Sequence, residues 1–377
     1  VTASTGERYL SVIVPAHNAS RLLPRTLGAL AASDLPRESW ELIVVDDGST
    51  DETAVVAAGY ADTVVRLAGN PHGPAFARNR GFEASRGEVI VFVDADVVVH
   101  GDALRLLART FVTAPAVAAA FGSYDAQPPG EGLVSQYRNL LHHYVHQKSG
   151  GPAETFWAGL GAIRREAFAA VGMFDEWHYS RPQIEDIELG RRLRRAGYNI
   201  VLSPEVQGTH LKRWTFRNTL ETDFKHRGVP WMWLLVQEGP GRGSKTLNVR
   251  TIEKLCVALM AASLPALVAA LVARSALPLA VPATAVAAIM AANFGFYLFL
   301  RRHRGFWFAV AVLPLHLLYY LSNVFSVVSG WVVHALFGEP MPPADVTALA
   351  QMGVETWPPP PTKPTSSLWS PPGRAEP

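Results

Sequence analysis

The chain has 377 residues, 49% hydrophobic and 18% charged, with 34 basic side chains against 32 acidic. That length provides for about two domains and a sizeable core, and the apolar content excludes a chain disordered throughout. A single cysteine excludes a disulfide framework, a multi-cysteine zinc site and an iron–sulfur cluster, and a net charge of +2 carries no nucleic-acid signature.

Residues 1–9 hold no apolar run, so no cleavable signal peptide is expected. Short β-branched runs then predict strands at Ser11–Val14, Glu41–Val45, Thr63–Leu67 and Glu88–Val93. Helical patterns fall between them, at Arg21–Ala32, Thr53–Ala58 and Gly73–Ser85. Such alternation implies right-handed βαβ units and a mainly parallel sheet. In those sheets ligands bind at the carboxyl ends of the strands. Three predicted strand ends carry polar residues: Pro15–Asn18, Asp46–Ser49 and Asp94–Asp96.

The second of these ends runs VVDDGSTDET. Ser49 or Thr50 is placed to cap the following helix, and Asp51 and Glu52 suit its positive end. Asp46 and Asp47 are adjacent carboxylates that repel unless donors meet them, and a nucleotide base and ribose hydroxyls are suitable donors. Before the fourth strand, the segment HGPAFARNRGFEASRG puts Arg78 near the same sheet end, as a phosphate contact or a scaffold residue. That strand ends in Asp94 and Asp96, expected on one side of it. Hard oxygen ligands without adjacent His or Cys suit Mg²⁺ or Mn²⁺ held with a substrate diphosphate.

Downstream, FWAGLGAIRREAF offers Trp157 and glycines, either as a platform for a sugar ring or as core packing. The run PQIEDIELGRRLRRAGYNI opens a helix with Glu185, Asp186 and Glu188. A carboxylate there fits a general base for an acceptor hydroxyl as well as it fits a cap. Between Arg181 and Lys254 the bases outnumber the acids by 14 to 8, which suits anionic lipid headgroups. Within that stretch, Trp231–Leu235 reads as a helix lying in a membrane interface, with a buried core helix as the alternative.

From Lys254 to Gly338 there is no Asp or Glu. Three apolar runs, Leu255–Ala273, Ala276–Leu300 and Phe306–Phe337, predict three membrane spans at about residues 255–273, 276–300 and 307–334. The Arg301–Arg304 cluster and the basic residues before the first span place residues 1–254 on the cytoplasmic side. The tail, residues 338–377, is Pro-rich and reads as extended and disordered, on the far side of the membrane. An excess of Arg over Lys and abundant Ala point to a bacterial source, and so to the bacterial cytoplasmic membrane.

The ordered set SVIVPAHN, VVDDGSTDE, ARNRGFEASRGEVIVFVDAD, FWAGLGAIRREAF, GMFDE and EDIELGRRLRRAGY resembles the inverting family 2 glycosyltransferases of GT-A fold, over about residues 10–215. The resemblance implies an α/β, Rossmann-like GT-A domain over 1–215, an interfacial segment over 216–250 and a transmembrane α-helical region over 251–337. It implies a nucleotide-diphosphosugar donor, a UDP- or GDP-sugar, contacted by Pro15, Asn18, Asp46, Asp47, Arg78 and Asp94. Asp94 and Asp96 match the metal and diphosphate motif, and Asp186 matches the catalytic base, with Glu185 its supporting neighbour. The segment HLKRW is similar to a (Gln/Arg)-x-x-Arg-Trp motif of membrane-bound members such as ceramide glucosyltransferases and polysaccharide synthases. With Trp157, it marks His210, Arg213 and Trp214 as acceptor or diphosphate contacts. His210 stands where those relatives carry Gln or Arg, and Ala19 follows Asn18 where many carry an acid. The expected partners are the donor, a lipid or lipid-linked acceptor and a membrane, with no nucleic acid.

Three other readings compete. A processive polysaccharide synthase needs a polymer channel, for which three spans are few. A sugar nucleotidyltransferase needs a Gly-rich basic loop near the amino terminus, where PAHNASRLL supplies only Arg21, with Arg25 beyond it. A non-catalytic carrier-binding protein has no need of Asp94, Asp96 and Asp186 together.

Overall fold

The computed structural model describes residues 9–238 and 250–338. The Pro-rich tail beyond residue 338 and residues 239–249 of the interfacial segment lie outside the described residues.

Strands β1 (Leu10–Ala16), β2 (Trp40–Asp47), β3 (Thr63–Leu67) and β4 (Val89–Val93) are parallel, in the order β3-β2-β1-β4. Burial on both faces explains why β4 reads as an unbroken apolar run and β1 as one interrupted only by Ser11, whose buried hydroxyl donates to Glu41 at 2.6 Å. The strand period of two sends Leu10, Val12 and Val14 to one layer and Ile13 to the other. The first layer is closed by α1 (Leu23–Ala31) and α4 (Ala103–Thr113), through Leu23, Leu27, Leu104 and Leu107. The second is closed by α3 (Pro74–Ala84), α6 (Arg165–Ala170) and α7 (Glu185–Arg195), through Ala77, Phe168, Leu189 and Leu193.

Beyond β4 the sheet is mixed rather than mainly parallel. β8 (Leu160–Arg164) runs antiparallel to β4, and β6 (Val117–Tyr124) runs antiparallel to β8. β9 (Asn199–His210) lies parallel to β6 and carries β5 (Val97–Val99) and β7 (Gly151–Ala153) as antiparallel partners. α5 (Leu133–Gln147) packs on this half beside α4 and α7, and β9 delivers His210 at its carboxyl end. The predicted α/β fold stands, with a parallel nucleotide-type half and a mixed second half.

A capping box between Thr215 and Asn218 starts α8 (Phe216–Glu221). A π-helical turn follows over Thr222–Gly228, then α9 (Val229–Glu238). The long helices come next: α10 (Thr251–Ala273), α11 (Ala280–Ala292), α12 (Phe294–Arg304) and α13 (Phe306–Phe337). Among the described residues two single helices are long and apolar enough to cross a membrane, α10 and α13. The second expected span is broken. Leu277–Ala292 and Phe294–Arg304 meet at a 63° bend, where the Asn293 amide donates back to the Ile289 carbonyl. That local side-chain bond competes with the helical ladder and marks the break. α12 then lies along α5, with Phe296 and Phe299 against Tyr144, and Arg304 bonds Gln136 and the Ala126 carbonyl. The Trp231–Leu235 helix also differs from a lone interfacial helix. It packs on α13, with the Trp233 indole N–H donating to His334 and Gly330 seated against Met232.

Candidate active site

The site assembles where β2, β4 and β9 end and α7 begins. β4 stops at Val93, and Asp94–Val97 is a turn in which the Val97 N–H bonds the Asp94 carbonyl. The two aspartates therefore do not share a strand face. Instead the turn points each to its own partner.

Asp94 meets Arg78, which is buried on α3 and forks between two acids, one N–H on Asp94 at 2.8 Å and the other on Glu185 at 2.9 Å. Burial alone pushes the guanidinium down. The charges of Asp94, Glu185 and Asp186 outweigh that and hold it firmly protonated. Glu185 also accepts the Gln183 N–H at 2.9 Å, so both its oxygens are engaged. The Arg78 side chain thus ties α3, the β4 turn and α7 together and has both terminal groups committed to carboxylates.

Asp186 is placed differently. Its carboxylate accepts only backbone donors, Ala158 N–H at 3.2 Å and Ile187 N–H at 2.8 Å. Burial, then the Glu185 charge, pushes its acid constant up to about 7, with Arg78 opposing. A carboxyl group poised near neutral pH is suited to take a proton.

Asp96 faces His210 across 3.4 Å. Burial works against its ionised form, but His210 and Lys212 outweigh it and lower its acid constant. His210 is buried and stacked on Tyr124, with ring centroids 4.2 Å apart. Its Nδ1 lies 2.7 Å from Asn139 Oδ1, and the Asn139 amide donates to the Ser135 carbonyl at 3.0 Å. That amide orientation makes Oδ1 the acceptor, puts the proton on Nδ1 and turns Nε2 towards Asp96. Among the described residues no group of three or more His, Cys, Asp or Glu side chains is placed to hold a metal ion. Asp96 and His210, 3.4 Å apart, are a two-residue donor pair that fits a divalent ion only where phosphate oxygens supply most of its ligands.

The strand-end loops are joined through Asn18, whose φ of +49° lies in the left-handed region. Its Oδ1 accepts the Thr50 N–H at 2.9 Å and its own N–H donates to Ser49 Oγ. Pro15 sits just before, in the last turn of β1. Asp47 accepts the backbone N–H groups of His72 and Gly73, at 2.9 and 2.7 Å. The donors expected from a nucleotide are therefore supplied to Asp47 by the chain, and they pin the start of α3. Gly73 needs to be glycine there, with a φ of +101° and no room for a Cβ beside the Ser180 carbonyl. Asp46, by contrast, takes one backbone bond, from Ser49 at 3.2 Å, and has Arg66 at 3.9 Å. The N-cap residue of α2 (Thr53–Ala58) is Glu52, which makes no side-chain cap bond; Asp51 before it accepts the Thr53 N–H at 3.0 Å, and neither Ser49 nor Thr50 caps the helix.

Trp157 is held by the chain's own aromatics, edge-on to Tyr124 at 4.7 Å and beside His142 at 4.9 Å. Its neighbouring glycine admits this ring, since a Cβ on Gly159 would come within 2.5 Å of it. Trp214 is buried, with the Lys212 ammonium 4.2 Å above its ring, while Arg213 is exposed. Sequence reasoning missed Lys212, Asn139 and Tyr124. Lys212 lay inside the HLKRW string and was legible there. Asn139 and Tyr124 carry no local signal, because α5 and β6 bring them in from elsewhere.

Residues 11–172 match the family model described as Glycosyl transferase family 2. Glycosyltransferase AglE of Haloferax volcanii is 25% identical over 232 residues, covering 60% of this chain and 75% of that protein. Dolichyl-phosphate beta-glucosyltransferase ALG5C of Trichomonas vaginalis is 41% identical over 103 residues, covering 25% of this chain and 31% of that one. Among solved structures, a mannosyltransferase from Pyrobaculum calidifontis, determined in complex with GDP-Man and Mn²⁺, is similar in fold, with a TM-score of 0.52 at 19% identity over 89% of each chain.

Proposed function

We infer that this chain, a glycosyltransferase whose residues 11–172 form a family 2 domain, moves a sugar from a nucleotide diphosphate to the hydroxyl of a lipid or lipid-linked acceptor, with inversion. The observation that carries the reading is Asp186. Among the described residues its carboxylate has only backbone partners, its acid constant lies near 7, and it directly follows Glu185, which Arg78 links to Asp94.

In this mechanism Asp186 accepts the acceptor hydroxyl's proton as that oxygen attacks the anomeric carbon in line. Glu185 is a positioning residue, since both its oxygens are occupied and it acts through Arg78. Arg78 holds the Asp94 turn in place and keeps Asp186 more acidic than burial alone would. Asp96 and His210, completed by oxygens of the donor's diphosphate, would hold Mg²⁺ or Mn²⁺, which would supply charge neutralisation for the departing nucleoside diphosphate, with Asp94 at the head of the same turn. Lys212, beside Asp96, adds a second positive charge on the same side. Asp46, with the loop that Asn18 fixes, faces the nucleoside, and Arg213 stands exposed for phosphate.

Support for a lipid acceptor comes from the helices that follow the domain, and from the dolichyl phosphate named for one relative. The same helices support residence in a bacterial cytoplasmic membrane with the catalytic domain on the cytoplasmic side, where α10 and α13 cross or enter the bilayer. Two long helices and a bent pair among the described residues are few to enclose a polymer channel, which favours single-sugar transfer over processive synthesis.

The test is label transfer from a panel of UDP- and GDP-sugars into a lipid extract, with and without divalent metal, by the wild type and Asp186→Asn. Labelled lipid should form with metal and be lost in the variant, while donor binding persists. Near wild-type transfer by Asp186→Asn would overturn the base assignment.

A further inference from the structure

A second polar site lies away from the catalytic residues, at the junction of α5 with the long helices. A cavity of about 100 Å³ opens there, and its walls include Arg250, Glu253, Tyr144, Phe296, Tyr319 and Asn293. Two features separate it from an ordinary packing defect. First, it holds one charge of each sign where the chain turns apolar: Glu253 is the last acid before a stretch with none up to Gly338. Second, the two charges are tethered to different neighbours. The Arg250 guanidinium donates to Ser149 Oγ at 2.8 Å, just past α5. Glu253 accepts the Tyr320 hydroxyl of α13 at 2.8 Å, and that hydroxyl also lies 3.2 Å from Asn293 Oδ1. These anchors are neutral hydroxyls, and the Arg250 and Glu253 charges feel each other at the cavity wall, an arrangement that matches the two opposite charges of one zwitterion.

The walls fit the two ends of one headgroup. Tyr144 and Phe296 present rings 5.2 Å apart, and Tyr319 adds a third. Aromatic faces beside a carboxylate attract an ammonium through their quadrupoles and its charge. A guanidinium recognises a phosphate diester through paired N–H donors. Ile252 and Leu255, on the first turns of α10, are 41% and 52% exposed and offer an apolar path for acyl chains.

We propose that this cavity is a binding site for the headgroup of a zwitterionic aminophospholipid, with Arg250 on its phosphate and Glu253 with the Tyr144, Phe296 and Tyr319 rings on its ammonium. The site rests on the reading of the chain as a membrane protein. Such a lipid bridges Ser149 and α5 on one side to α10 and α13 on the other, so it fixes the catalytic domain at the level of the bilayer surface.

The experiment uses the full chain in nanodiscs of mixed phosphatidylethanolamine and phosphatidylglycerol, released into native mass spectrometry. The expected result is one phosphatidylethanolamine retained in preference to phosphatidylglycerol. The preference should fall about tenfold or more in Glu253→Gln, whereas Arg250→Gln, which removes the contact to the phosphate that both lipids share, should lower the retention of both about tenfold. Thermal unfolding and donor binding serve as folding controls for the two variants. Equal retention of both lipids by the wild type overturns the site while leaving the membrane reading intact. Displacement of the lipid by soluble phosphoethanolamine at equal concentration overturns the lipid as the source. A chain that leaves membranes in alkaline carbonate overturns both readings.

Discussion

Asp186→Asn should separate catalysis from stability, with a sign that only a base of raised acid constant produces. Burial and Glu185 lift Asp186 from 3.8 to about 7. Its folded-state value lies above its unfolded one, so the folded chain holds an extra proton between those limits. The Asp186 contribution to stability then falls as pH rises from about 4 to about 7, because ionised Asp186 is less welcome in the folded site than in water. A shift of three units corresponds to about 4 kcal/mol at full strength. Roughly 2.6 kcal/mol of it develops between pH 5 and pH 8, and solvent at the partly open site reduces that to about 1–2 kcal/mol. Asparagine removes the titration. It also loses one backbone-donor bond, from Ala158 or Ile187, at a pH-independent cost of about 1 kcal/mol. The assay is thermal unfolding of wild type and variant at pH 5 and pH 8. The variant should gain on the wild type by the 1–2 kcal/mol just derived, a shift of about 2–8 °C for a domain of this size. Its transfer rate should fall by about 10²–10⁴. A wild-type-to-variant difference that stays constant from pH 5 to pH 8 would refute the reasoning, whatever the activity of the variant; the difference is the readout because buried His142 and His146, held below the usual imidazole value, raise the stability of both proteins over the same range.

Other perturbations probe the neighbouring groups. Arg78→Met leaves Asp94 and Glu185 without their shared cation and should cost about 3–5 kcal/mol in denaturant unfolding. It should also move the acid limb of the rate–pH profile upward, since the Arg78 charge holds Asp186 down, whereas Arg78→Lys should keep most of that charge effect. Chelation by EDTA should abolish transfer and Mn²⁺ restore it, and Asn139→Leu should raise the metal concentration for half-activation by about 10–100-fold, because it frees the His210 tautomer. Full activity in EDTA would remove the metal from the mechanism. Gly73→Ala should lower stability by roughly 2–3 kcal/mol in urea titration, through its positive φ, the Ser180 carbonyl and the disturbed bond to Asp47.

The parallel half of the fold was legible because its signals are local. Thr63–Leu67 and Thr53–Ala58 are the observed bounds of β3 and α2, and the bounds of the other early elements shift by at most two residues. The mixed half was not. β6 carries Val117–Ala120 and Gly122, small residues without a β-branched run, and its place follows from contact with β9 about eighty residues on. The same contrast holds in the site. Asp94, Asp96 and Asp186 stood out because acids directly after an apolar strand or at a helix start are unusual in themselves. The roles within the group were less visible. Asp47 looks like a ligand residue in one dimension, yet meets the His72 and Gly73 amides. Arg78 looks like a phosphate contact, yet is committed to two carboxylates that lie 16 and 107 residues away. Nor does hydropathy reveal the bend at Asn293, since one amide among many apolar neighbours barely changes a window average.

Helix α5 explains why a membrane-proximal helix layer bears on chemistry at the sheet. On one side its Asn139 fixes the His210 ring, and Ser135 accepts from Asn139 and receives the Trp214 N–H. On another side Tyr137, Leu140 and Leu141 pack with Phe296, Leu300 and Val312 of α12 and α13. Arg138, next to Asn139, pairs with Asp223 of the π-helical turn, whose Gly228 sits against Ser326 of α13. A π-helical turn sacrifices regular hydrogen bonding and persists where packing demands that geometry. The same fifteen-residue helix therefore carries the orientation of a candidate metal ligand and the seat of the apolar helices. A displacement of α12 or α13 by a fraction of a helical turn must repack α5, and through Asn139 it must move His210 relative to Asp96. Close-packed interfaces transmit such shifts rather than absorb them. On that ground, loss of the membrane environment should act on metal affinity before it acts on the parallel half of the sheet. The apparent metal requirement in detergent and in nanodiscs, measured against unchanged donor-nucleoside binding, is the direct comparison.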